Sequence, residues 1–301
     1  MKWTFYDVHF FCIYTFMTYR EICQRIEPVF GYSESRAVVR LLAEERFGMT
    51  LADIMCGSLE RLPAADAGWL EQAVARLERA EPVQYVIGKA WFHGSCFDVR
   101  PGVLIPRPET EWLVDRALGI VRGRPAGTPL RLLDIGTGSG CIAVSIALGA
   151  VDVPQQVYVE AWDVSAEALD IAAGNAARLS ADVTFCRRDA LALDSLAAEP
   201  WDIIVSNPPY ICQCERADMA RNVTGYEPSL ALFVPDADPL LFYRCIARYA
   251  SRTLREGGRL LFECNTLYAG DVCRMLQREG FVSAVGADDC FGKPRFVDGS
   301  K

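Results

Sequence analysis

Leu130-Arg131-Leu132-Leu133-Asp134-Ile135-Gly136-Thr137-Gly138-Ser139-Gly140 runs without a break into Cys141-Ile142-Ala143-Val144. Leu130 to Ile135 reads as a strand, a glycine-rich turn follows, and Cys141 starts a helix. Glycines at alternate positions let the backbone pass close to a ligand with no Cβ in the way. The spacing is not the Gly-x-Gly-x-x-Gly of a dinucleotide site, although Gly136-Thr137-Gly138 imitates it. Taken alone, such a turn serves either a cofactor loop or a tight structural bend. Outward from it, Val157 to Trp162, Val183 to Cys186, Ile203 to Val205 and Leu260 to Phe262 also read as strands. Helical stretches such as Ala166 to Leu179 and Leu240 to Leu254 separate them. That alternation predicts an α/β fold with a mostly parallel sheet and helices on both faces. Ligands in such folds bind beyond the carboxyl ends of the strands, near the point where strand order reverses.

Three of those strand ends carry chemistry. Trp162-Asp163 sets a carboxylate where the ribose diol of an adenosine cofactor would lie. Arg187-Arg188-Asp189-Ala190 ends the next strand with an acid placed to reach an adenine amine. Each acid by itself is equally a helix N-cap or a solvated strand end. Asn207-Pro208-Pro209-Tyr210 then follows the apolar run Ile203 to Ser206. Its two prolines fix φ near −65° and remove two backbone donors, so the chain leaves the strand stiffly with its carbonyls free to accept. An asparagine amide, bare carbonyls and an aromatic face held together suit a planar NH2 group. A proline-rich turn with a surface tyrosine is the bland alternative.

At 301 residues the chain predicts two domains, and 51% hydrophobic with 23% charged residues is a globular composition. The net charge of −8 argues against a broad footprint for duplex DNA or an anionic membrane. Twelve cysteines are scattered singly and there are only two histidines, His9 and His93, so free buried thiols are expected and a metal site is not. Trp3 to Met17 is aromatic but interrupted by Asp7 and His9, lacks a cleavage site, and is shorter than the ~18 apolar residues of a membrane span. Met17 is therefore the expected start, with residues 1–16 an upstream extension.

From 18 to 81 the apolar residues recur at helical steps, as in Ala37, Val38, Leu41, Leu42 and Leu70, Val74, Leu77. Ser33, Ser35 and Asp66 are the expected N-caps, and Gly31, Gly48 and Gly57 the expected stops. Glu81-Pro82 breaks the helical pattern, and Trp91 to Val99 reads as a β-hairpin. Leu104-Ile105-Pro106-Arg107-Pro108-Glu109-Thr110-Glu111 is a rigid turn leading into another helix.

Together, Asp134 to Gly140, Asp163, Asp189 and Asn207 to Tyr210 resemble the class I S-adenosylmethionine-dependent methyltransferases that act on planar amino groups. Within them the chain resembles the HemK/PrmC family, the peptide chain release factor glutamine methyltransferases. The resemblance is carried further by Gln84-Tyr85, Phe92-His93-Gly94, the Pro106 to Glu111 turn, Glu227-Pro228 and Gly292-Lys293-Pro294-Arg295. It implies a Rossmann-like, mostly parallel seven-stranded sheet. The division is an extension over 1–17, a helical substrate-docking domain over 18–81, a hairpin linker over 82–103 and a methyltransferase domain over 104–301.

The resemblance also implies the roles. Gly136, Thr137, Gly138, Ser139 and Gly140 cradle the methionine part of S-adenosylmethionine, Asp163 binds the ribose, and Asp189 with Ala190 borders the adenine. Asn207, Pro208, Pro209 and Tyr210 hold the substrate amide, with Asn207, Pro208 and Tyr210 as the catalytic set and Asn207 also against the cofactor. Arg107 and Glu109 line the site. The partner is a cytoplasmic release factor whose Gly-Gly-Gln loop presents the acceptor. Two departures are Asn265, where the family carries a glycine and where a left-handed conformation is expected, and Tyr268, where it carries a glutamine. The rivals are a ribosomal-protein glutamine methyltransferase, a nucleic-acid adenine methyltransferase, for which a basic recognition domain is lacking, and a non-catalytic cofactor-binding scaffold.

Overall fold

The computed structural model describes residues 17–196 and 199–301. The expected extension over residues 1–16 lies outside them. The chain divides after Ile87 into two compact units.

The first unit is helical: α1 (Tyr19–Phe47), α2 (Leu51–Met55), α3 (Ala64–Leu77) and α4 (Val83–Ile87). Ile22, Ile26, Val38, Leu42, Ile54, Leu70, Val74 and Leu77 form its core, the burial expected of apolar residues at three- and four-residue steps. The caps differ from expectation. Thr18 with Glu21 and Thr50 with Asp53 form reciprocal capping boxes, Ser35 is buried and donates to the Tyr32 carbonyl at 3.0 Å, and Asp66 sits in the first turn of α3 behind Pro63. Gly48 ends α1 with φ 66°, whereas Gly31, at φ 76°, marks a kink within it. Pro82 does not simply break a helix: its carbonyl accepts from Tyr85 and Val86, so it opens α4. The hairpin is therefore narrower than 82–103, pairing Lys89–Phe92 with Ser95–Asp98 at the start of the second unit.

The second unit is a seven-stranded sheet. Its strands are β1 (Leu130–Ile135), β2 (Val157–Asp163), β3 (Val183–Arg187), β4 (Trp201–Ser206), β5 (Leu254–Glu263), β6 (Ser283–Asp288) and β7 (Pro294–Ser300). The order is β6-β7-β5-β4-β1-β2-β3, parallel from β5 to β3 and antiparallel at β6 and β7. Strand order reverses at β1 and β4, which places the crevice at the ends carrying Gly136 and Asn207.

Alternation along the strands fills two cores. Leu132, Ile203, Val205 and Leu261 pack on one face with α5 (Glu111–Arg122) and α6 (Cys141–Gly149). Leu133, Ile204, Leu260 and Phe262 pack on the other with α8 (Leu241–Thr253) and α9 (Ala269–Arg278). A further helix, α7 (Ala166–Leu179), follows β2. Of the cysteines, Cys23, Cys141, Cys212 and Cys264 are buried, but Cys56, Cys214 and Cys290 are exposed, so burial is not general. No helix among the described residues is long and apolar enough to cross a membrane.

Candidate active site

The turn after β1 is held by its own backbone. Gly136, Gly138 and Gly140 have φ of 79°, 56° and 81°, a region open to glycine at little cost. The N–H groups of Gly136 and Thr137 both donate to the Trp162 carbonyl, at 2.8 and 3.0 Å. A Cβ at Gly136 or Gly138 would meet no protein atom within 4 Å, so what a side chain would obstruct there is open space. At Gly140 a Cβ would come within 3.0 Å of the Ala172 Cβ, so this glycine serves the close packing of α7.

Asp163 is set by two backbone donors: Gly138 N–H reaches Oδ2 and Ser165 N–H reaches Oδ1, each at 2.9 Å. One lone pair on each oxygen remains, a pair of acceptors suited to a vicinal diol. Asp189 turns the next strand end, its Oδ1 accepting from Leu191 N–H at 2.8 Å. Gly136, Gly138, Asp163, Asp189, Ala190, Asn207, Pro208 and Pro209 line one mostly apolar cavity of about 260 Å3. Thr137, Ser139 and Gly140 are not on its wall. Thr137 is buried and donates to Asp134 Oδ2 at 2.7 Å, and the Ser139 carbonyl accepts from Asn175 Nδ2 at 3.0 Å.

A smaller cavity, about 170 Å3, lies against Arg107, Tyr210, Ile211, Met219 and Leu232. It shares Leu104, Asn207 and Ala231 with the larger one, so Asn207 stands where the two meet. Neither the Pro208 nor the Pro209 carbonyl is taken up by a backbone donor among the described residues, as expected of a stiff exit from β4. Ser206 Oγ donates to the Ile135 carbonyl at 2.6 Å, tying the ends of β4 and β1 together.

Asn207 Nδ2 donates to Thr110 Oγ1 at 3.3 Å, and Thr110 Oγ1 donates to Glu263 Oε2 at 2.6 Å. The other oxygen, Oε1, accepts from the Tyr210 hydroxyl at 3.2 Å. Burial, reinforced by the Glu263 charge, pushes the Tyr210 hydroxyl above its ordinary range, so it stays a donor. Burial also raises Glu263, opposed by the Thr110 hydroxyl and the Arg295 charge.

Arg107 lines the smaller cavity, anchored to Glu227 Oε1 at 2.5 Å, while Glu227 Oε2 accepts from Ile105 N–H at 3.0 Å. Glu109 lines neither cavity. The 3-10 turn Pro108–Thr110 leaves it partly exposed and turns Thr110 inward instead. Thr110 and Glu227 stood in the motifs already quoted, whereas Glu263 follows the Leu260 to Phe262 run directly, and the signal that pointed to Asp163, a charged residue at a strand end, holds equally for it. Asn265 is not left-handed. Its Oδ1 accepts from Leu267 N–H at 3.0 Å and its Nδ2 donates to Glu215 at 3.1 Å, so side-chain bonds rather than a glycine conformation hold the turn. Tyr268 has its hydroxyl 3.7 Å from Cys212 Sγ.

Asp134, fully buried beneath the glycine turn, keeps Oδ1 without a hydrogen-bond partner. Burial pushes its carboxyl from 3.8 up to about 7, against the pull of the Thr137 hydroxyl. The folded chain then holds a proton that the unfolded chain has lost, so the contribution of Asp134 to the stability of the ligand-free protein should fall as pH rises from about 4 to about 7, by on the order of a few kcal/mol. Asp134→Asn should flatten that slope in thermal melts across the window. Parallel curves for the two proteins would show that Asp134 titrates normally.

Comparison with known proteins matches both units. Residues 28–88 match the PrmC N-terminal domain and residues 125–223 the methyltransferase small domain. The chain is 44% identical to the release factor glutamine methyltransferase of Bacteroides thetaiotaomicron, over 93% of this chain and 98% of that protein. It is 35% identical to that of Flavobacterium psychrophilum, over 92% of this chain and 95% of the relative. At this identity across nearly the whole length of both proteins, the chain belongs to the release factor glutamine methyltransferase family.

Proposed function

We propose that the protein transfers a methyl group from S-adenosylmethionine to the side-chain amide nitrogen of the glutamine in the Gly-Gly-Gln loop of peptide chain release factors. The observation that carries this is the meeting of two cavities at Asn207, one floored by Gly136, Gly138 and Asp163, the other walled by Arg107 and Tyr210. The larger cavity fits the methyl donor: open glycine backbone for the methionine part, paired acceptors on Asp163 for the ribose, and apolar walls with Asp189 at the far strand end for the adenine.

When bound, the sulfonium supplies an electrophilic methyl group and a neutral leaving group. The remaining work falls to the chain. An amide nitrogen is a poor nucleophile because its lone pair is delocalised into the carbonyl, so the site must orient it. Asn207 Oδ1 and the Pro208 carbonyl accept the two amide hydrogens, aim the nitrogen across the junction of the cavities, and favour positive charge developing on the NH2 group. The Tyr210 ring, held by Glu263, covers the amide face. As the N–C bond forms and the S–CH3 bond breaks, the nitrogen becomes cationic and releases one of its two hydrogens as a proton to water, so no strong base is needed.

Action on release factors places the protein in the cytoplasm with a protein partner. The test presents methyl-labelled S-adenosylmethionine together with a release factor, a ribosomal protein and duplex DNA. Label is expected in the release factor alone, and preferential labelling of either other substrate would replace this reading.

A further inference from the structure

We infer that Thr110 and Glu263 are positioning residues that fix which end of the Asn207 amide faces the acceptor, an inference that rests on the role proposed for Asn207. A primary amide can turn end for end within almost the same volume, exchanging a carbonyl for an NH2 group. Only the carbonyl end can accept a hydrogen from a glutamine side chain, so the site works in one of the two orientations.

The hydroxyl of Thr110 makes the choice. It has one proton and two lone pairs, and at 2.6 Å from Glu263 Oε2 that proton is committed to the carboxylate. Towards Asn207 the hydroxyl is then purely an acceptor. The NH2 end fits against it, as found at 3.3 Å, whereas the carbonyl end would face an oxygen with no proton between them. Asn207 Oδ1 is thereby left for the substrate.

Glu263 suits this role as a carboxylate, because both neighbouring hydroxyls, Thr110 and Tyr210, carry a proton towards it, one on each oxygen. Its 2% exposure keeps water from offering the Thr110 proton another partner. The same polarity discriminates among acceptors. A glutamate side chain in place of glutamine would set an oxygen against Asn207 Oδ1 and be rejected.

The test compares Thr110→Val, Thr110→Ser and Glu263→Leu with the full-length wild type, using a release factor as substrate and Asn207→Ala as control. Thr110→Val keeps the volume but loses the acceptor, and Glu263→Leu removes the carboxylate and frees the Thr110 proton to face Asn207. Both should lower kcat roughly tenfold to a hundredfold while the Kd for S-adenosylmethionine stays within about twofold. Thr110→Ser, which keeps the hydroxyl, should restore most of the rate.

A full rate in Thr110→Val, or equal loss in Thr110→Ser, would overturn the inference while a slow Asn207→Ala leaves the role of Asn207 standing. A fast Asn207→Ala would instead overturn that role. Independently of activity, the Asn207 Nδ2 protons of 15N-labelled wild type should show nuclear Overhauser contacts to the Thr110 methyl group. Their absence would overturn the orientation even if every variant failed to fold.

Discussion

Asn207→Ala should lower kcat by about two to three orders of magnitude and leave S-adenosylmethionine affinity within about twofold of wild type, the scale seen when one preorganised polar contact to a developing charge is removed. The asymmetry follows from where Asn207 stands. It borders both cavities, but the donor cavity keeps its glycine floor and Asp163 without it. The acceptor loses a side-chain acceptor that the Pro208 carbonyl cannot replace, because a single acceptor fixes only one of the two amide hydrogens. Single-turnover rates together with calorimetric donor binding separate the two effects. A loss of donor affinity as large as the loss in rate would remove the assigned division of labour.

The second large effect is expected at Asp163. Asp163→Ala should weaken S-adenosylmethionine binding by about a hundredfold, because charge-assisted hydrogen bonds to a diol are lost and the N–H groups of Gly138 and Ser165 lose their acceptor. The turn after β1 then loses one of the contacts that hold it against β2, so the glycine floor is disturbed as well. At saturating donor kcat should largely recover, since no residue of the acceptor cavity is touched. Calorimetry and a rate measured at rising donor concentration check this. Unchanged affinity with a depressed saturating rate would assign Asp163 to the acceptor side.

The parallel half of the fold was legible because its strands are short apolar runs bounded by helices, and β1, β2, β3 and α7 fall where periodicity places them. β4 and β5 extend beyond the expected runs. The early part of β5, Leu254-Arg255-Glu256-Gly257-Gly258-Arg259, is polar because Arg255 pairs with Asp202 and Arg259 with Asp298. Strand β6 sits at the sheet edge with one neighbour and holds only exposed and partly exposed residues, which leaves no apolar run to read.

In the candidate site, glycines and strand-end acids announce themselves locally, which made Asp163 legible, and Asn207 was legible from the two prolines and the tyrosine that follow it. Thr110 and Glu263 lie 153 residues apart, and Ile105 and Glu227 lie 122 apart. The first pairing is set where the end of β5 meets the turn after Arg107, and the second where the segment between β4 and α8 meets Ile105; spacing along the chain encodes neither. Asn265 shows the converse. A residue taken as a substitute for glycine by conformation does its work by hydrogen bonding through its side chain.

In the proposed reaction the junction of the two cavities methylates one particular amide nitrogen. The most direct measurement incubates the protein with methyl-labelled S-adenosylmethionine and either a release factor or the same factor with its Gly-Gly-Gln glutamine replaced by alanine, followed by mass analysis of the loop peptide. One methyl group is expected on the glutamine of the unaltered loop and none on the altered factor. Equal labelling of the two factors would contradict it.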